Sequence, residues 1–432
     1  MKNYDIAVIG GGTAGCAAAY IAGKLGLKTL LIEKNIHLGG SITSGLVIPA
    51  MFSSENQINT EFFDDLILEM KSVNGQVTYQ NNKGWFNPEL MKIVLDKMMK
   101  KFNVDVLYNT KVKKVNLHDN KIKSIEIYNN LLSEPIYKIQ NGDKALFEPI
   151  ETRYVIDSTG NCEIGKICNC KFLNKNDELQ PINLRFIMEN VNVKELANWL
   201  IEYDSDRDIT SVEHIDGIVH LSTAYTWDSN RAWALKPLFD EAVKKGIIED
   251  EDRNYFQIFT IAGMPSAVAF NCPRIIKNVD LYDNYSLSRA LISAREAIYR
   301  LSDFCKKYLK GFENAYISNI ADEVGIRVSD RIKGKYVYTI EDLKSGKKFD
   351  NPVLISNYPI DVHSSNKDSS TLQEVGTYEL PIEALMSNDI NNLFVAGRCL
   401  SADFMSQGAL RIQPSCFSMG EGVSKYIKNN LI

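Results

Sequence analysis

The stretch that decides the fold is YDIAVIGGGTAGCAAAYIAGKLG, residues 4–26. Its apolar run 4–9 predicts a buried parallel strand, and the alanine-rich run 13–26 predicts a helix packed closely against that strand. A strand, a glycine turn and a small-residue helix in this order are typical of a unit that binds a dinucleotide.

Each glycine of the turn has a distinct predicted role. Gly10 permits the tight bend, Gly12 lets the backbone approach a pyrophosphate, and Gly15 lets the helix touch the strand. Thr13 and Ala14 open the helix, whose unpaired N–H groups favour phosphate oxygens. A glycine turn that binds no ligand is the alternative interpretation.

A second predicted strand, residues 28–32, ends in Glu33. This acid follows Gly15 by 18 positions and is placed to accept hydrogen bonds from an adenosine ribose. An acid at this position disfavours NADP, because it would repel the extra phosphate.

Later segments favour FAD over NAD as the dinucleotide. Lys34 and the glycine- and hydroxyl-rich loop LGGSITSG, residues 38–45, suit an extended cofactor. The strand-to-glycine pattern returns in YVIDSTG, residues 154–160, and in NLFVAGR, residues 392–398. Residues 408–422 then predict a loop that enters a final helix.

Composition restricts the class of partner. A chain of 432 residues is long enough for two or three lobes. The net charge of -5 and the isoelectric point near 5.7 argue against nucleic acid or an anionic membrane and favour a small-molecule substrate. No apolar stretch reaches the ~18 residues of a transmembrane helix. The eight scattered cysteines predict reduced thiols in a cytoplasm, and the cluster at 162, 168 and 170 lacks a recognisable fourth metal ligand, so we predict no metal.

The sequence resembles the FAD-dependent oxidoreductase family that is related to the fumarate reductase and glutathione reductase structural groups. The matching pieces are the glycine turn, the Gly39-Gly40 loop, residues 86–89, 156–160, 270–274, 325–327 with Arg331, 361–363, and 395–398 with Gly408, Arg411 and Pro414. The resemblance implies that the C-terminal segment lies against the isoalloxazine, that Val112 offers backbone bonds to adenine and that Arg398 reaches the phosphates.

The resulting set of predicted cofactor residues spans both ends of the chain. It comprises Gly10, Gly12, Thr13, Ala14, Gly15, Glu33, Lys34, Gly39, Gly40, Ser41, Thr43, Val112, Ser158, Thr159, Gly160, Gly397, Arg398, Gly408, Arg411 and Ile412. His37 lies too close to the glycine loop for the covalent flavin attachment of fumarate reductase relatives, so we predict non-covalent FAD.

The predicted fold class is α/β, with a discontinuous Rossmann-like FAD domain and a second α+β domain that contains a mainly antiparallel sheet. The FAD domain is assigned to residues 1–53, 87–175 and 381–432. The substrate or cap domain is assigned to residues 54–86 and 176–380.

Candidate substrate residues lie in the second domain. Arg274, Arg327 and Arg331 suit bidentate binding of a carboxylate, although an ion pair with Glu323 one helical turn away is an equal alternative for Arg327. His363 is the best general acid/base candidate, with Asp361 placed to fix its tautomer. A structural histidine is the alternative.

The predicted function is FAD-dependent hydride transfer between flavin N5 and a small organic substrate. A substrate that bears a carboxylate is one candidate. A monooxygenase and a flavin-binding redox subunit of a larger complex are the alternatives. The chain has only one GxGxxG unit, so a separate NAD(P)H domain is not expected. The electron donor or acceptor and the oligomeric state are left open.

Overall fold

The computed structural model describes residues 3–51, 57–131, 134–135, 137–140, 143–146, 149–173, 180–226, 233–275, 279–363 and 371–432. Its α-helices are Thr13–Lys24, Glu61–Ser72, Pro88–Lys101, Glu163–Ile167, Val193–Tyr203, Lys236–Lys244, Asn284–Tyr308, Ile340–Ser345, Phe404–Leu410 and Gln413–Asn430. Short 3-10 helices occupy Gly40–Ile42, Asp250–Asn254, Ile382–Leu385 and Gly397–Cys399.

An eight-stranded mixed sheet contains the opening strand. Its hydrogen-bonded order is Asp105–Leu107, Thr29–Ile32, Asn3–Ile9, Ile150–Asp157, Lys121–Asn129 and Thr110–His118, with Leu393–Val395 and Glu134–Pro135 paired alongside. The strands around Asn3–Ile9 run parallel, and the last two of the order are antiparallel. The predicted strand–turn–helix unit and its second strand are therefore confirmed.

The second sheet has six strands, all antiparallel. Their order is Thr210–Ile215, Ile218–Thr226, Tyr255–Ile261, Met264–Phe270, Phe186–Glu189 and Tyr316–Ile320. Strand pairs complete the described β-structure at Gln76–Tyr79 with Asn82–Phe86, Tyr137–Gln140 with Asp143–Leu146, Ile182–Asn183 with Arg274–Ile275, Pro352–Ser356 with Tyr378–Pro381, and Ile360–Val362 with Thr371–Gln373. The α/β class with a separate antiparallel sheet is confirmed.

The alanines of the first helix are explained by its burial on every side. The helix contacts the sheet on one face and the last helix, Gln413–Asn430, on the other. A Cβ on Gly420 would lie 2.1 Å from the carbonyl oxygen of Ala14, and Ser424 Oγ donates to the carbonyl of Ala18 at 2.8 Å. Only small side chains permit two helices to approach this closely.

The chain at residues 57–86, within the segment predicted as 54–86, contacts both the last helix and the antiparallel sheet. The N–H of Phe62 donates to Glu421 on the last helix at 2.8 Å, whereas Trp85 packs edge-on against Phe259 of the antiparallel sheet. The domain boundaries stay a prediction.

The C-terminal segment differs from the expected long loop. Residues 404–410 are already helical, and the last helix begins at Gln413, so only residues 411–412 separate the two helices. Asp403 caps the shorter helix by accepting from Ser406 N, and an aspartate before such a run is a local signal for a helix start.

In the described part of the chain, no helix combines the length and the apolar composition needed to cross a bilayer. All eight cysteines are buried and outside disulfides. The described residues contain no group of three or more His, Cys, Asp or Glu side chains that could hold a metal ion.

Candidate active site

The glycine turn is tight at two glycines and open at the third. Gly10 has φ 97°, and a Cβ there would lie 2.7 Å from the carbonyl oxygen of Ser158. A Cβ on Gly15 would lie 1.8 Å from the carbonyl oxygen of Gly10. A Cβ on Gly12 would meet nothing within 4 Å, and no side chain caps the helix that follows. The open space and the free N–H groups fit a pyrophosphate.

Glu33 lies beside this turn and is 5% exposed. Its Oε2 accepts from the N–H of Gly11 at 2.6 Å, and its Oε1 accepts from the N–H of Asn35 at 2.8 Å. Burial raises the pKa of Glu33, although these two hydrogen bonds oppose the shift. Thr110 N donates to the Glu33 carbonyl at 3.0 Å, which brings the strand of Val112 close to the acid. A carboxylate has further lone pairs, so ribose hydroxyls fit here too.

The glycine- and hydroxyl-rich loop lies against the turn. Gly39 and Gly40 have φ of 102° and 53°, and Gly39 N donates to the Gly11 carbonyl at 2.8 Å. The hydroxyls of Thr13 and Ser41 lie 3.2 Å apart. The structure thus brings together two segments whose contacting residues lie 28 positions apart in the sequence.

Two predicted cofactor residues bond within the protein. Thr43 is buried, and its hydroxyl donates to the carbonyl of Leu38 at 2.7 Å, which closes the loop on itself. Lys34 lies 3.7 Å from Glu323 and is exposed. Their contacts with FAD stay predictions.

The end of strand Ile150–Asp157 is tied to the same turn. Ser158 Oγ donates to the carbonyl of Gly10 at 2.7 Å, and Thr159 Oγ1 donates to the buried Asp157 at 2.7 Å. Asp157 also accepts from the N–H of Ile164 at 2.8 Å. This carboxylate therefore organises the small-residue turn at 158–160.

Arg398 covers that turn from the C-terminal segment. A Cβ on Gly160 would lie 2.5 Å from its Nη2, and its Nη1 donates to the carbonyl of Ile326. Gly397 has φ 82°, and a Cβ there would lie 3.4 Å from Cβ of Ala14. Three predicted cofactor residues, Gly160, Gly397 and Arg398, thus lie close together, and Gly397 lies beside the first helix.

Buried polar atoms without a protein partner mark the start of the last helix. They are Ser44 Oγ, Gln413 Oε1 and Ser415 Oγ, in the part of the chain that the structure describes. Gln413 Nε2 donates to the carbonyl of Val47 at 2.7 Å, so these atoms are close to the glycine-rich loop, and Ile412 is the N-cap residue. Buried polar groups ordinarily have partners, and the polar edge of a flavin supplies donors and acceptors of this kind. The residues present therefore fit FAD.

Four arginines and one carboxylate form a second polar group, which we call the arginine cluster: Arg185, Arg274, Arg327, Arg411 and Asp361. Burial lowers the pKa of Arg327 well below its usual value, and the charges of the other three arginines lower it further, while Asp361 opposes them. Arg185 and Arg327 lie in separate connecting segments and Asp361 lies in the strand Ile360–Val362, so the fold brings them together.

Asp361 holds one arginine of the cluster, Arg411, and the neighbouring His363 in place. Arg411 Nη2 lies 3.3 Å from its Oδ2 and donates to its carbonyl at 3.0 Å. His363 Nε2 lies 3.3 Å from its Oδ1. On the other side of the imidazole, Arg274 Nη2 donates to His363 Nδ1 at 2.9 Å, and its guanidinium stacks 3.6 Å from the centre of the Tyr255 ring.

The other two arginines have neutral partners. Arg185 Nε donates to Asn271 Oδ1 at 2.6 Å, and Arg327 Nη1 donates to the carbonyl of Pro181 at 2.6 Å and to Asn183. Arg185 Nη1, Arg274 Nε and Arg411 Nε are buried and lack any partner within the described residues. Three guanidinium groups therefore keep N–H donors for a ligand.

The alternative ion pair of Arg327 is wrong. Residues 321–331 are not helical, so Glu323 is not one helical turn away. Glu323 instead accepts from Asn35 Nδ2 at 2.7 Å. Arg331 donates to the carbonyl of Ala402 at 2.9 Å, and its predicted substrate role is left without support from this geometry.

Two residues predicted for FAD lie at the arginine cluster. Arg411 pairs with Asp361, as described above. A Cβ on Gly408 would lie 2.8 Å from Val362 Cγ2 and 3.2 Å from the Asp361 carbonyl oxygen, so this glycine lets the Phe404–Leu410 helix approach the Ile360–Val362 strand.

His363 has one tautomer consistent with its contacts. A guanidinium can only donate, so Nδ1 accepts from Arg274 and Nε2 carries the proton that it donates to Asp361. Burial, reinforced by the charge of Arg327, lowers the pKa of His363 to about 3. Asp361 has its own pKa held below the usual value because hydrogen bonding by His363 and the nearby arginines outweigh burial. Both ring nitrogens are occupied, which favours the structural alternative.

Because His363 is neutral in the folded protein, we expect the protein to lose stability as the pH falls. Its pKa is about 3 in the folded state, below the ~6.5 of an unfolded chain, so the unfolded state takes up a proton first as the pH falls. The free energy of unfolding should fall by ~1.4 kcal/mol per pH unit between about pH 6 and 4. His363→Gln keeps an acceptor and a donor but does not titrate, so denaturant unfolding should show a shallower pH slope. Equal slopes would refute the assignment.

Sequence reasoning missed several residues of these two groups. Arg185 has no motif, and its only signal is a charge inside the apolar run 182–188. Asn271 lies in the family-like segment 270–274, of which only Arg274 was predicted to bind substrate. Gln413 and Ser415 flank Pro414, and their roles depend on where the last helix begins.

Comparison with known proteins identifies a family and several partial relatives. The model of the FAD dependent oxidoreductase family matches residues 5–425. Digeranylgeranylglycerophospholipid reductase of Thermoplasma acidophilum is 49% identical over 45 residues, which are 10% of this chain and 11% of that protein. Thiamine thiazole synthase of Sulfolobus acidocaldarius is 43% identical over 44 residues, 10% of this chain and 17% of that protein. The matched segments thus span less than a fifth of these relatives.

Solved structures resemble the chain over its whole length at low identity. A geranylgeranyl bacteriochlorophyll reductase-like protein from Thermoplasma acidophilum matches with a TM-score of 0.43 and 14% identity over 99% of this chain and 77% of its own. L-proline dehydrogenase from P. horikoshii matches with a TM-score of 0.45 and 11% identity over 99% and 92%.

Proposed function

Because this chain belongs to the FAD dependent oxidoreductase family and FAD is its cofactor, we propose that it transfers hydride to or from a small organic substrate that carries a carboxylate. When bound, FAD accepts or donates the hydride at N5. The observation that supports the carboxylate is the arginine cluster, with its buried and unpartnered N–H donors.

The protein's own part is to bind and orient the substrate. Arg274 and Arg411 are fixed through His363 and Asp361, so their free Nε–H groups have set directions. Donors fixed before binding lose little entropy when a carboxylate arrives. Burial excludes water and strengthens each charge-assisted hydrogen bond. In this proposal His363 positions Arg274 rather than moving a proton.

The cluster also lies next to the residues that fit FAD. Gln407 Nε2 donates to the Arg327 carbonyl at 3.4 Å, and Arg398 donates to the carbonyl of the preceding residue, Ile326. Arg411 precedes Gln413, which opens the last helix, by two positions. A substrate held by the arginines is therefore close to the start of that helix.

Anaerobic reduction tests the proposal. The FAD-loaded protein is mixed with a panel of small organic acids and, separately, with the neutral amides of the same acids. We expect bleaching of the flavin absorbance by at least one acid and by no amide, and loss of that bleaching in Arg274→Met. After chemical reduction, reoxidation by an unsaturated acid would support the reverse direction of the same reaction.

Other outcomes would overturn it in favour of a stated alternative. Oxygen uptake driven by NAD(P)H, without bleaching by any acid, would support a monooxygenase. Absence of both reactions, with FAD bound, would support a redox subunit of a larger complex.

A further inference from the structure

Within the residues that the structure describes, the arginine cluster carries more positive charge than its protein partners balance. The charges that act most strongly on Arg327 come from three other arginines and one carboxylate, Asp361. For Arg185 they likewise include Arg411 and Arg274, both of which oppose its protonated form. Buried charges ordinarily require partners of opposite sign, since taking a charge out of water is costly.

The other contacts that the arginines make with described residues are with neutral groups. Arg185 meets the amide of Asn271, and Arg327 meets the carbonyl of Pro181 and the amide of Asn183. Arg274 meets His363, which accepts its hydrogen bond and is therefore uncharged. Hydrogen bonds to these groups satisfy some N–H donors but cancel no charge.

Asn271 holds Arg185 and Arg274 on a common frame. Its Oδ1 accepts from Arg185, while its Nδ2 donates to the Tyr255 hydroxyl at 3.0 Å and to Gln257 Oε1 at 2.7 Å. The Tyr255 ring stacks with the Arg274 guanidinium. Two guanidinium groups are thus held by one network of hydrogen bonds and stacking on the antiparallel sheet.

We propose that the substrate bound by this cluster is a small organic dianion. One singly charged carboxylate would leave the cluster with excess positive charge, whereas two negative charges bring it close to balance. Three arginines with free N–H donors also offer more than one carboxylate needs for a bidentate bond. The inference rests on the proposed function and narrows its substrate class. A dicarboxylate and a phosphate monoester share this chemistry.

Matched probes separate charge from shape. Malonate and its monoamide, malonamate, have nearly the same size but differ by one charge. Methyl phosphate and methyl sulfate form the same kind of pair. Binding to the FAD-loaded protein is measured by calorimetry and by the flavin difference spectrum at about pH 8, above the second ionisation of a phosphate monoester.

We expect a dianion to bind at least about thirtyfold more tightly than its matched monoanion. A preference for malonate would identify a dicarboxylate, and a preference for methyl phosphate would identify a phosphate monoester. Equal affinity within a pair would overturn the inference but leave the proposed function intact. Failure of all four probes to bind would overturn both.

Charge variants make the test independent of probe shape. Asn271→Asp adds a carboxylate beside Arg185 with almost no change in volume, so the dianion-to-monoanion preference should fall at least about tenfold. Asp361→Asn removes the cluster's carboxylate, so the preference should rise or stay high. Retained flavin absorbance and an unchanged unfolding transition would show that both variants fold. A preference that stays unchanged in Asn271→Asp, or that falls in Asp361→Asn, would contradict the proposal.

Discussion

Gly15→Ala is expected to leave the protein without bound FAD and with a lower free energy of unfolding. The new Cβ would lie 1.8 Å from the carbonyl oxygen of Gly10 and 2.6 Å from Ser158 Oγ. The Gly10 atom is backbone of the tight turn, so the helix can only move away from the strand. Overpacking of this kind costs about 3 kcal/mol or more. Denaturant unfolding of the apoprotein and flavin absorbance after gel filtration measure both effects.

Gly12→Ala is the matched variant that separates folding from cofactor binding. Its Cβ would meet nothing within 4 Å in the protein, and its φ of −76° suits any residue. The unfolding free energy of the apoprotein should therefore change by no more than ~0.5 kcal/mol. FAD affinity should fall at least about tenfold, because the methyl group occupies the space that fits the pyrophosphate.

Gly376→Ala is the control for the effect of replacing a glycine by alanine away from the glycine turn. This exposed glycine has open space around its Cα, so neither stability nor FAD binding should respond. If Gly12→Ala binds FAD as tightly as the unmodified protein, the pyrophosphate does not lie at this turn.

The fold was predictable where a local pattern has a single structural solution. The run 4–26 specifies a strand, a bend and a helix that packs closely on the strand. Gly10 permits the bend and Gly15 permits the close contact, so the glycine spacing fits this arrangement. The final helix was expected after a loop within residues 408–422, whereas it begins at Gln413 with Pro414 in its first turn, where proline is tolerated. The Glu323–Arg327 pair was wrong because residues at a spacing of four contact each other only on a helix.

The candidate site was less predictable because its members come from distant parts of the chain. Arg185 and Asn271 meet through pairing of Phe186–Glu189 with Met264–Phe270, a non-local contact that no local pattern specifies. Arg411 was assigned to FAD by resemblance, yet its partner is Asp361, 50 residues earlier. Asp361 and His363 were correctly expected to contact each other, since alternate residues of an extended segment share a face.

Arg185→Met is expected to stabilise the apoprotein while it weakens anion binding. Arg185 is 7% exposed, and burial lowers its pKa to about 10. Methionine fills a similar volume without a charge, so the repulsion from Arg274 and Arg411 disappears. Loss of the hydrogen bond to Asn271 offsets part of the gain, and we expect a net increase of about 1 kcal/mol in the free energy of unfolding. Malonate affinity should fall by about a hundredfold.

Arg300→Met is the control for Arg185→Met. It should lower the free energy of unfolding, whereas Arg185→Met should raise it. Arg300 Nε lies 2.7 Å from the carboxylate of Asp252, whose side chain is buried. Removing the guanidinium would leave this buried carboxylate without its cationic partner. Such a loss costs about 3 kcal/mol. Arg300 lies on the helix Asn284–Tyr308 and contacts none of the cluster residues named above, so malonate affinity should not change. If both variants destabilised the apoprotein equally, Arg185 would be a structural residue with balanced charge. If Arg185→Met raised the free energy of unfolding and Arg300→Met lowered it, the arginine cluster would be shown to destabilise the apoprotein while it binds an anion.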